Sequence, residues 1–219
     1  MHAPDHRNRT SEQIITENIL HDAEGFGYRA ASWLDLAIRT ENFAAFHYAC
    51  IDGRLAIEHL IFQQLVVTAG SDLTQSNYEK CLSEPMKLQK RLKQIVPDYE
   101  KLLDFSKIVV SLSPDAPRIN KWKIGDLMKS WGILSSYLHW KGAFSETTEN
   151  HEWQEQAIQN VRQIIEPLWE RMSSGQSGCM VLKDMDPHVR EIWEGFRLGK
   201  INSDSARIRL EIIRPMIKR

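Results

Sequence analysis

The chain has 219 residues, 42% of them hydrophobic and 26% charged, which is the composition of an ordinary globular protein with a sizeable core. Its formal net charge of −1 excludes a whole-molecule attraction to nucleic acid or to a membrane surface. The charge is nevertheless uneven, because seven basic residues stand against two acidic ones between Gly195 and Arg219.

The first predicted helix begins at a capping box, Thr10 to Gln13, and runs to about Arg39. Its apolar residues recur at spacings of three, four or seven: Ile15, Ile19, Phe26, Ala30, Trp33 and Ala37. Gly25 and Gly27 predict either a kink in this helix or the close approach of a neighbouring one.

The second predicted helix runs from Asn42 to about Ala69. Apolar residues surround almost the whole of its second half, which is typical of the central helix of a bundle. We therefore expect the core to contain Leu55, Ile57, Leu60 and Ile61.

Shorter helical pieces follow, and prolines divide them. One begins at a second capping box, Ser76 to Glu79. Pro85 and Pro97 interrupt the pattern, because proline is best tolerated in the first turn of a helix. The last piece runs from Asp98 to about Leu112, before the proline-rich connection at residues 113–118.

Two longer helices complete the predicted bundle. One runs from about Asn120 to Trp140, and the other from Asn150 to about Met172, where Pro167 should bend it. The sequence SSGQSG at residues 173–178 then has the composition of a flexible linker.

The C-terminal tail contains two more predicted elements. Asp186 is a predicted N-cap, with Pro187 at the first helical position. The next segment, residues 203–217, fits two patterns. A strand-like alternation is formed by Ile208, Leu210 and Ile212. A helical stripe is formed by Ala206, Leu210, Ile213 and Ile217. Ser203 is a plausible N-cap, so the helix is the favoured interpretation.

Together these patterns predict an all-α fold. A bundle of about five main helices should occupy residues 1–172, and a basic, apolar, helical appendage should occupy residues 179–219. No segment pairs a strand pattern with a hairpin turn. Because the basic tail also carries many aliphatic side chains, we expect it to dock onto the acidic remainder of this chain or of a second copy.

The cysteines and the apolar stretches indicate where the protein works. Cys50, Cys81 and Cys179 are far apart and show no CxxC or CxxxH spacing, so neither a disulfide framework nor a zinc site is predicted. The polar first residues lack the apolar stretch of a signal peptide, and polar residues interrupt the longest apolar runs. We expect a cytoplasmic protein with no membrane span, no metal and no cofactor.

One stretch, DGRLAIEHL at residues 52–60, raises the question of catalysis. Its Arg54 and His59 are separated by four residues, which resembles the R-x4-6-H motif of HEPN-type ribonucleases. In that family the arginine holds the scissile phosphate, and the histidine moves protons while the ribose 2′-hydroxyl attacks. The resemblance makes Arg54 and His59 candidate catalytic residues.

Helix geometry and composition favour a structural role for the same two residues. With eight histidines in the chain, composition alone yields about one or two matches to so short a pattern. On a continuous helix, residues five apart point about 140° away from each other. Arg54 is better placed for an ion pair with Glu58, four residues later. A break at Asp52-Gly53 would weaken this objection, although the apolar pattern passes across Gly53 without interruption.

A second stretch resembles the HEPN group more closely. The sequence WGILSSYLHWKG at residues 131–142 resembles an L-S-x-x-[aliphatic]-H segment that several members carry near the end of a late helix. The matching residues are Leu134, Ser135, Leu138 and His139. No arginine lies four to six spacers before His139, so a member of this group with this sequence has lost the usual nuclease centre. His139 near a helix C-terminus is also favoured by the helix dipole.

The resemblance implies three alternative functions. A HEPN-like bundle without its arginine would be a non-catalytic interaction or regulatory protein, and members of the group usually form homodimers. Alternatively, Arg54 with His59, or His139 with an arginine from a partner chain, would make a metal-independent endoribonuclease. The third alternative is a nucleic-acid-binding protein that contacts RNA through its basic tail.

Overall fold

The structure, a computed structural model, describes residues 22–69, 74–83, 87–113, 119–139, 151–174, 176–177, 180, 182 and 185–216. The α-helices in this part of the chain are α1 (Ala23–Thr40), α2 (Phe43–Ala69), α3 (Gln75–Ser83), α4 (Leu88–Ile95), α5 (Tyr99–Val110), α6 (Ile124–Ser136), α7 (His151–Ser173), α8 (Pro187–Arg197) and α9 (Ser203–Ile213). A 3-10 turn, Arg214–Met216, follows α9. The predicted all-α class is confirmed. The four long predicted helices correspond to α1, α2, α6 and α7, and the last of the shorter predicted pieces corresponds to α5.

Two residues of strand were not predicted. The strands β1 (Ile119–Asn120) and β2 (Gln176–Ser177) pair in parallel, Ile119 opposite Gln176 and Asn120 opposite Ser177. Two residues are too few to show the alternation by which a strand is recognised in a sequence. β2 lies within the predicted linker at residues 173–178, whereas β1 directly follows the predicted connection at residues 113–118 and includes Asn120, the predicted start of a helix.

The chain divides into two compact units, and the boundary falls within α2, between Ile61 and Phe62. One, here called the Arg54 unit, comprises Ile15–Ile61 and Trp122–Ser174. The other, called the tail unit, comprises the described residues of Phe62–Lys121 and of Gly175–Arg219. The predicted division into residues 1–172 and 179–219 stays a prediction.

The first helix of the Arg54 unit begins directly after its N-cap residue, Asp22. The Asp22 side chain accepts a hydrogen bond from the Gly25 backbone N–H at 2.6 Å, so α1 begins at Ala23. The capping box predicted at residues 10–13 lies outside the described residues. Gly27 allows the predicted close approach: a Cβ there would lie 3.2 Å from Sδ of Met172 on α7.

Helix α2 passes through Gly53 without a break. A Cβ on Gly53 would lie 3.0 Å from Cδ1 of Leu134 on α6 and 3.5 Å from Ile165 on α7. The glycine therefore lets two neighbouring helices approach α2, and the alternative of a new helix beginning at Arg54 is wrong. Of the predicted core residues, Ile57, Leu60 and Ile61 are buried, whereas Leu55 is only half-buried.

Helix α6 is shorter than predicted and ends at Ser136 rather than Trp140. Ser135 donates its hydroxyl proton to the Trp131 carbonyl at 2.8 Å, and Ser136 donates to Ile133 at 2.7 Å. Such bonds from serine to the backbone of its own helix weaken helix continuation. Helix α7, in contrast, matches its predicted bounds to within one residue at each end.

Helix α3 in the tail unit begins at Gln75, one residue before the predicted start. The cap is Thr74, whose hydroxyl oxygen accepts from the Asn77 backbone N–H at 3.3 Å. Serine and threonine both cap helices, so the spacing alone favoured Ser76 over Thr74, which stands two residues earlier.

The core of the tail unit forms where α8 and α9 pack on α5. Phe105 on α5 lies 5.4 Å from the Trp193 ring and 5.6 Å from the Phe196 ring, both on α8. Ala206 and Leu210 on α9 are also buried. The predicted docking of the C-terminal tail is therefore confirmed within the chain itself.

Polar contacts hold the same helices together. Arg197 at the end of α8 pairs with Asp98 at 3.2 Å and with Glu194 at 2.7 Å.

The two C-terminal helices begin at capping residues. The predicted N-cap Asp186 accepts from the His188 backbone N–H at 2.8 Å. The segment from Ser203 is a helix as predicted, but its cap is Asn202 rather than Ser203.

Candidate functional site

Arg54 is held by two side chains of the Arg54 unit. Its Nη2 lies 3.4 Å from Oε1 of Glu58 on the same helix, which confirms the predicted ion pair. The guanidinium also lies over the Trp131 ring of α6, 4.7 Å from its centroid. Trp131 in turn donates its indole N–H to the same Glu58 oxygen at 2.7 Å. The three side chains form a closed arrangement, and its carboxylate balances the arginine's charge.

His59 contacts a different helix. Its ring lies 4.7 Å from the ring of Phe26 on α1, and the guanidinium of Arg29 covers that phenyl ring at 4.4 Å. Arg54 therefore faces α6, whereas His59 faces α1. This follows from the five-residue spacing on an unbroken helix. The structure does not direct the two motif residues toward one another.

Arg29 of α1 lies near the side of α2 that carries His59. It donates from Nε and Nη2 to the two carboxylate oxygens of Asp52, at 3.1 and 2.9 Å. This hydrogen bonding to Asp52 raises the pKa of Arg29, so the guanidinium keeps its charge. Asp52 is buried, and the two-point contact satisfies its charge. The partner of Asp52 lies 23 residues earlier in the chain and could be identified only from the fold.

His139 lies in the turn that follows α6, three residues after the helix ends, and its side chain is exposed. Within the same matching segment, Leu134 and Ser135 are buried and Leu138 is half-buried. The Ser135 hydroxyl donates to the backbone of its own helix, so this proton is already used. The segment therefore contributes packing residues, together with one exposed imidazole.

His47 belongs to an aromatic cluster rather than to a polar site. Its ring lies 5.0 Å from Phe43 and 5.7 Å from Phe46. Burial among these rings lowers the pKa of His47, and a backbone hydrogen bond with Phe43 partly opposes this. Phe43 also contacts Trp153 of α7 at 5.6 Å, so the cluster joins α2 to α7.

Cys50 has the environment of a core residue. It is buried and unpaired, and burial raises the pKa of its thiol to about 12. A thiol with so high a pKa is almost entirely protonated at neutral pH, which makes it a poor nucleophile and a poor metal ligand.

The described residues also bear on metals and on membranes. Within them, no group of three or more histidine, cysteine, aspartate or glutamate side chains is arranged to hold a metal ion. None of the helices in this part of the chain combines the length and the apolar character that crossing a bilayer requires.

Comparison with known proteins provides no further identification. No family model matches the sequence, and no curated protein or solved structure matches it.

Proposed function

We propose that this chain is a non-catalytic, HEPN-like helical interaction protein that acts through contact with another protein, a second copy of itself in the first instance. The observation that carries the proposal is the opposite placement of the two motif residues, Arg54 toward α6 and His59 toward α1. General acid–base cleavage of RNA needs a cation and a proton-transferring group at one phosphate. Two residues that face different helices do not supply this arrangement.

The surroundings of Arg54 support the same proposal. A phosphate would compete with the Glu58 carboxylate, which already accepts from both Arg54 and Trp131. The side chain of Arg54 is only 29% exposed, so a phosphate group would have limited access to it. An arginine held in this way stabilises helix packing, because its charge is balanced and its planar group lies on an indole ring.

Exposed apolar side chains provide the positive support for an interaction role. In the Arg54 unit, Tyr48 and Ile51 lie on the outer side of α2 and are 54% and 40% exposed. In the tail unit, Ile208 and Ile212 of α9 are 58% and 64% exposed. We propose these side chains as contact points, because apolar side chains that adjoin on an exposed helix face can be covered by another protein.

The test is an RNA cleavage assay with and without a chelator. We expect purified protein to leave mixed RNA intact, and H59A, H139A and R54A variants to be indistinguishable from the parent. Cleavage that resists the chelator and is lost in H59A or H139A would overturn the proposal in favour of a metal-independent ribonuclease. Cleavage that survives in all three variants and follows the protein through further purification would also overturn the proposal, because it would come from other residues of this chain.

Light scattering provides the second measurement. One chain has a mass of 25.4 kDa, and we expect an assembly of two chains in a concentration-dependent equilibrium. A protein that stays at the mass of one chain at the highest workable concentration would contradict self-association as the interaction.

A further inference from the structure

Helix α4 of the tail unit has a basic outer face. Four cationic residues and no acidic one stand between residues 87 and 95: Lys87, Lys90, Arg91 and Lys93. The three lysines are exposed, and at about 100° per residue they lie within an arc of about 120°. Leu88 and Leu92 point away from this arc and are buried. The helix thus buries its apolar side in the unit and turns a row of lysines, here called the lysine row, to the solvent.

The stability of α4 does not account for the lysine row. Lys87 is the N-cap residue and Lys90 lies in the first turn, where the helix dipole favours negative charge and disfavours cations. The helices α1, α5, α6, α7 and α9 each carry an acidic residue in their first turn, and α4 carries none. Lys90 and Lys93 are also three residues apart, a spacing at which like charges repel.

The charges of the row are not neutralised by nearby carboxylates. Among the described residues, neither Lys90 nor Lys93 pairs with an acidic side chain. The first acidic residue after the helix is Asp98, and its carboxylate is already paired with Arg197 at 3.2 Å and with Lys101 at 3.7 Å. An anionic partner would therefore meet positive charge on this face, and its binding would relieve the repulsion within the row.

We propose that the lysine row of α4 binds the phosphate backbone of a nucleic acid strand. An ammonium group binds phosphate as a point charge, and a polyanion that meets several of them releases its condensed counterions. The segment from residue 87 to residue 95 has no aromatic side chain on which a base could stack, so the contact would be independent of base sequence. This inference goes beyond the proposed function and does not depend on it.

The observed burial favours a nucleic acid over two other anionic partners. A helix that binds a membrane surface places its apolar side in the lipid, whereas Leu88 and Leu92 are buried within the protein. A protein interface usually has an apolar centre with a polar rim. The exposed side of α4 provides no such centre, because Gln94 is its other exposed residue.

The experiment measures fluorescence anisotropy of the full chain with a labelled single strand of about 20 nucleotides, longer than the usual site size. At low salt, K90E/K93E should weaken binding by about tenfold or more, because two attractive contacts become repulsive. In a salt titration, K90Q/K93Q should reduce the slope of log affinity against log salt by about 1.4, which is about 0.7 for each lysine removed.

The matched control changes the same amount of charge elsewhere in the tail unit. Arg209 and Arg214 are exposed, and R209E/R214E should keep the parental affinity within about twofold, since neither residue is on α4. RNA and DNA of the same sequence should bind alike, because their backbones present the same phosphates. Circular dichroism and thermal melts of each variant show that the fold is retained.

Three results would overturn the inference. The first is a parent that binds neither strand at low salt, or that prefers one of them by more than about tenfold, which backbone contacts do not produce. The second is an equal loss in R209E/R214E and in K90E/K93E, because net charge rather than the lysine row would then explain binding. The third is binding of vesicles of phosphatidylserine and phosphatidylcholine without binding of nucleic acid. Self-association is measured without nucleic acid, so its failure and the failure of this inference are seen separately.

Discussion

At the scale of single residues, the pair that the sequence motif indicated is not the pair that the structure brings together. The sequence motif drew attention to Arg54 and His59, but the two-point ion pair in the Arg54 unit joins Arg29 to Asp52. Asp52 is only 8% exposed, so its charge depends on Arg29 for compensation. This pair fixes α1 against α2 beside the Phe26 and His59 rings.

The Arg29–Asp52 pair should contribute measurably to stability. We expect D52A to lower the free energy of unfolding by about 1.5–3 kcal/mol, because charged hydrogen bonds at a mostly buried carboxylate are lost. Asp35 offers a matched control, since it pairs with Arg39 at 2.7 Å while both side chains are at least 60% exposed. D35A should cost less than about 0.5 kcal/mol. Urea unfolding measures both, and equal losses would show that burial of Asp52 has no energetic consequence.

At the scale of elements, the tail illustrates what periodicity can predict. The alternation of Ile208, Leu210 and Ile212 fits a strand, and a two-faced helix produces the same alternation when both of its faces are apolar. The structure resolves the ambiguity by burying Leu210 and exposing the two isoleucines. The helix is capped by Asn202 and docks on α5 and α8.

Substitutions on the two faces of α9 should differ in their effect on the free energy of unfolding. We expect L210A to lower the free energy of unfolding by about 2–5 kcal/mol, the usual range for a large-to-small change in a core. I212A, two residues later on the exposed face, should cost less than about 0.5 kcal/mol. Both are measured by chemical denaturation at a dilution where the chain is monomeric. A larger loss for I212A than for L210A would mean that the docked face of α9 has been misassigned.

At the scale of the whole molecule, the tail belongs to a folded unit rather than to a solvated arm. Gly175–Arg219 form a compact unit with Phe62–Lys121, and Phe105 packs against both Trp193 and Phe196. The basic residue at the end of α8 takes part in this packing, since Arg197 pairs with Asp98 and Glu194. The tail charge is therefore partly balanced within the chain.

Deleting residues 175–219 should lower the melting temperature by at least about 6 °C, because Phe105 loses its aromatic partners and α5 loses both covering helices. Thermal melts measure this effect. L210A provides an intermediate reference, as it weakens the same packing without removing the tail. If the truncated protein keeps its melting temperature but loses salt-sensitive RNA binding, the tail is a nucleic-acid-binding element instead.

The sequence by itself determined the fold class, the main helices and several of their ends. This succeeded because helices depend on local information, which is apolar spacing, capping residues and prolines at first turns. The predicted ion pair of Arg54 with Glu58 was correct for the same reason, since four residues on a helix are neighbours.

Only the tertiary structure decided which helix each face meets. Arg29 and Asp52 are brought together by the packing of α1 on α2, which no local pattern encodes. From the sequence, Gly53 could mark either a break in α2 or a point of close contact. The structure shows a point of close contact, because Leu134 of α6 and Ile165 of α7 pack against it. Likewise, the R-x4-H spacing could not separate a catalytic pair from a structural one. Catalysis requires both residues to reach the same point in space, and on an unbroken helix Arg54 and His59 face different neighbours.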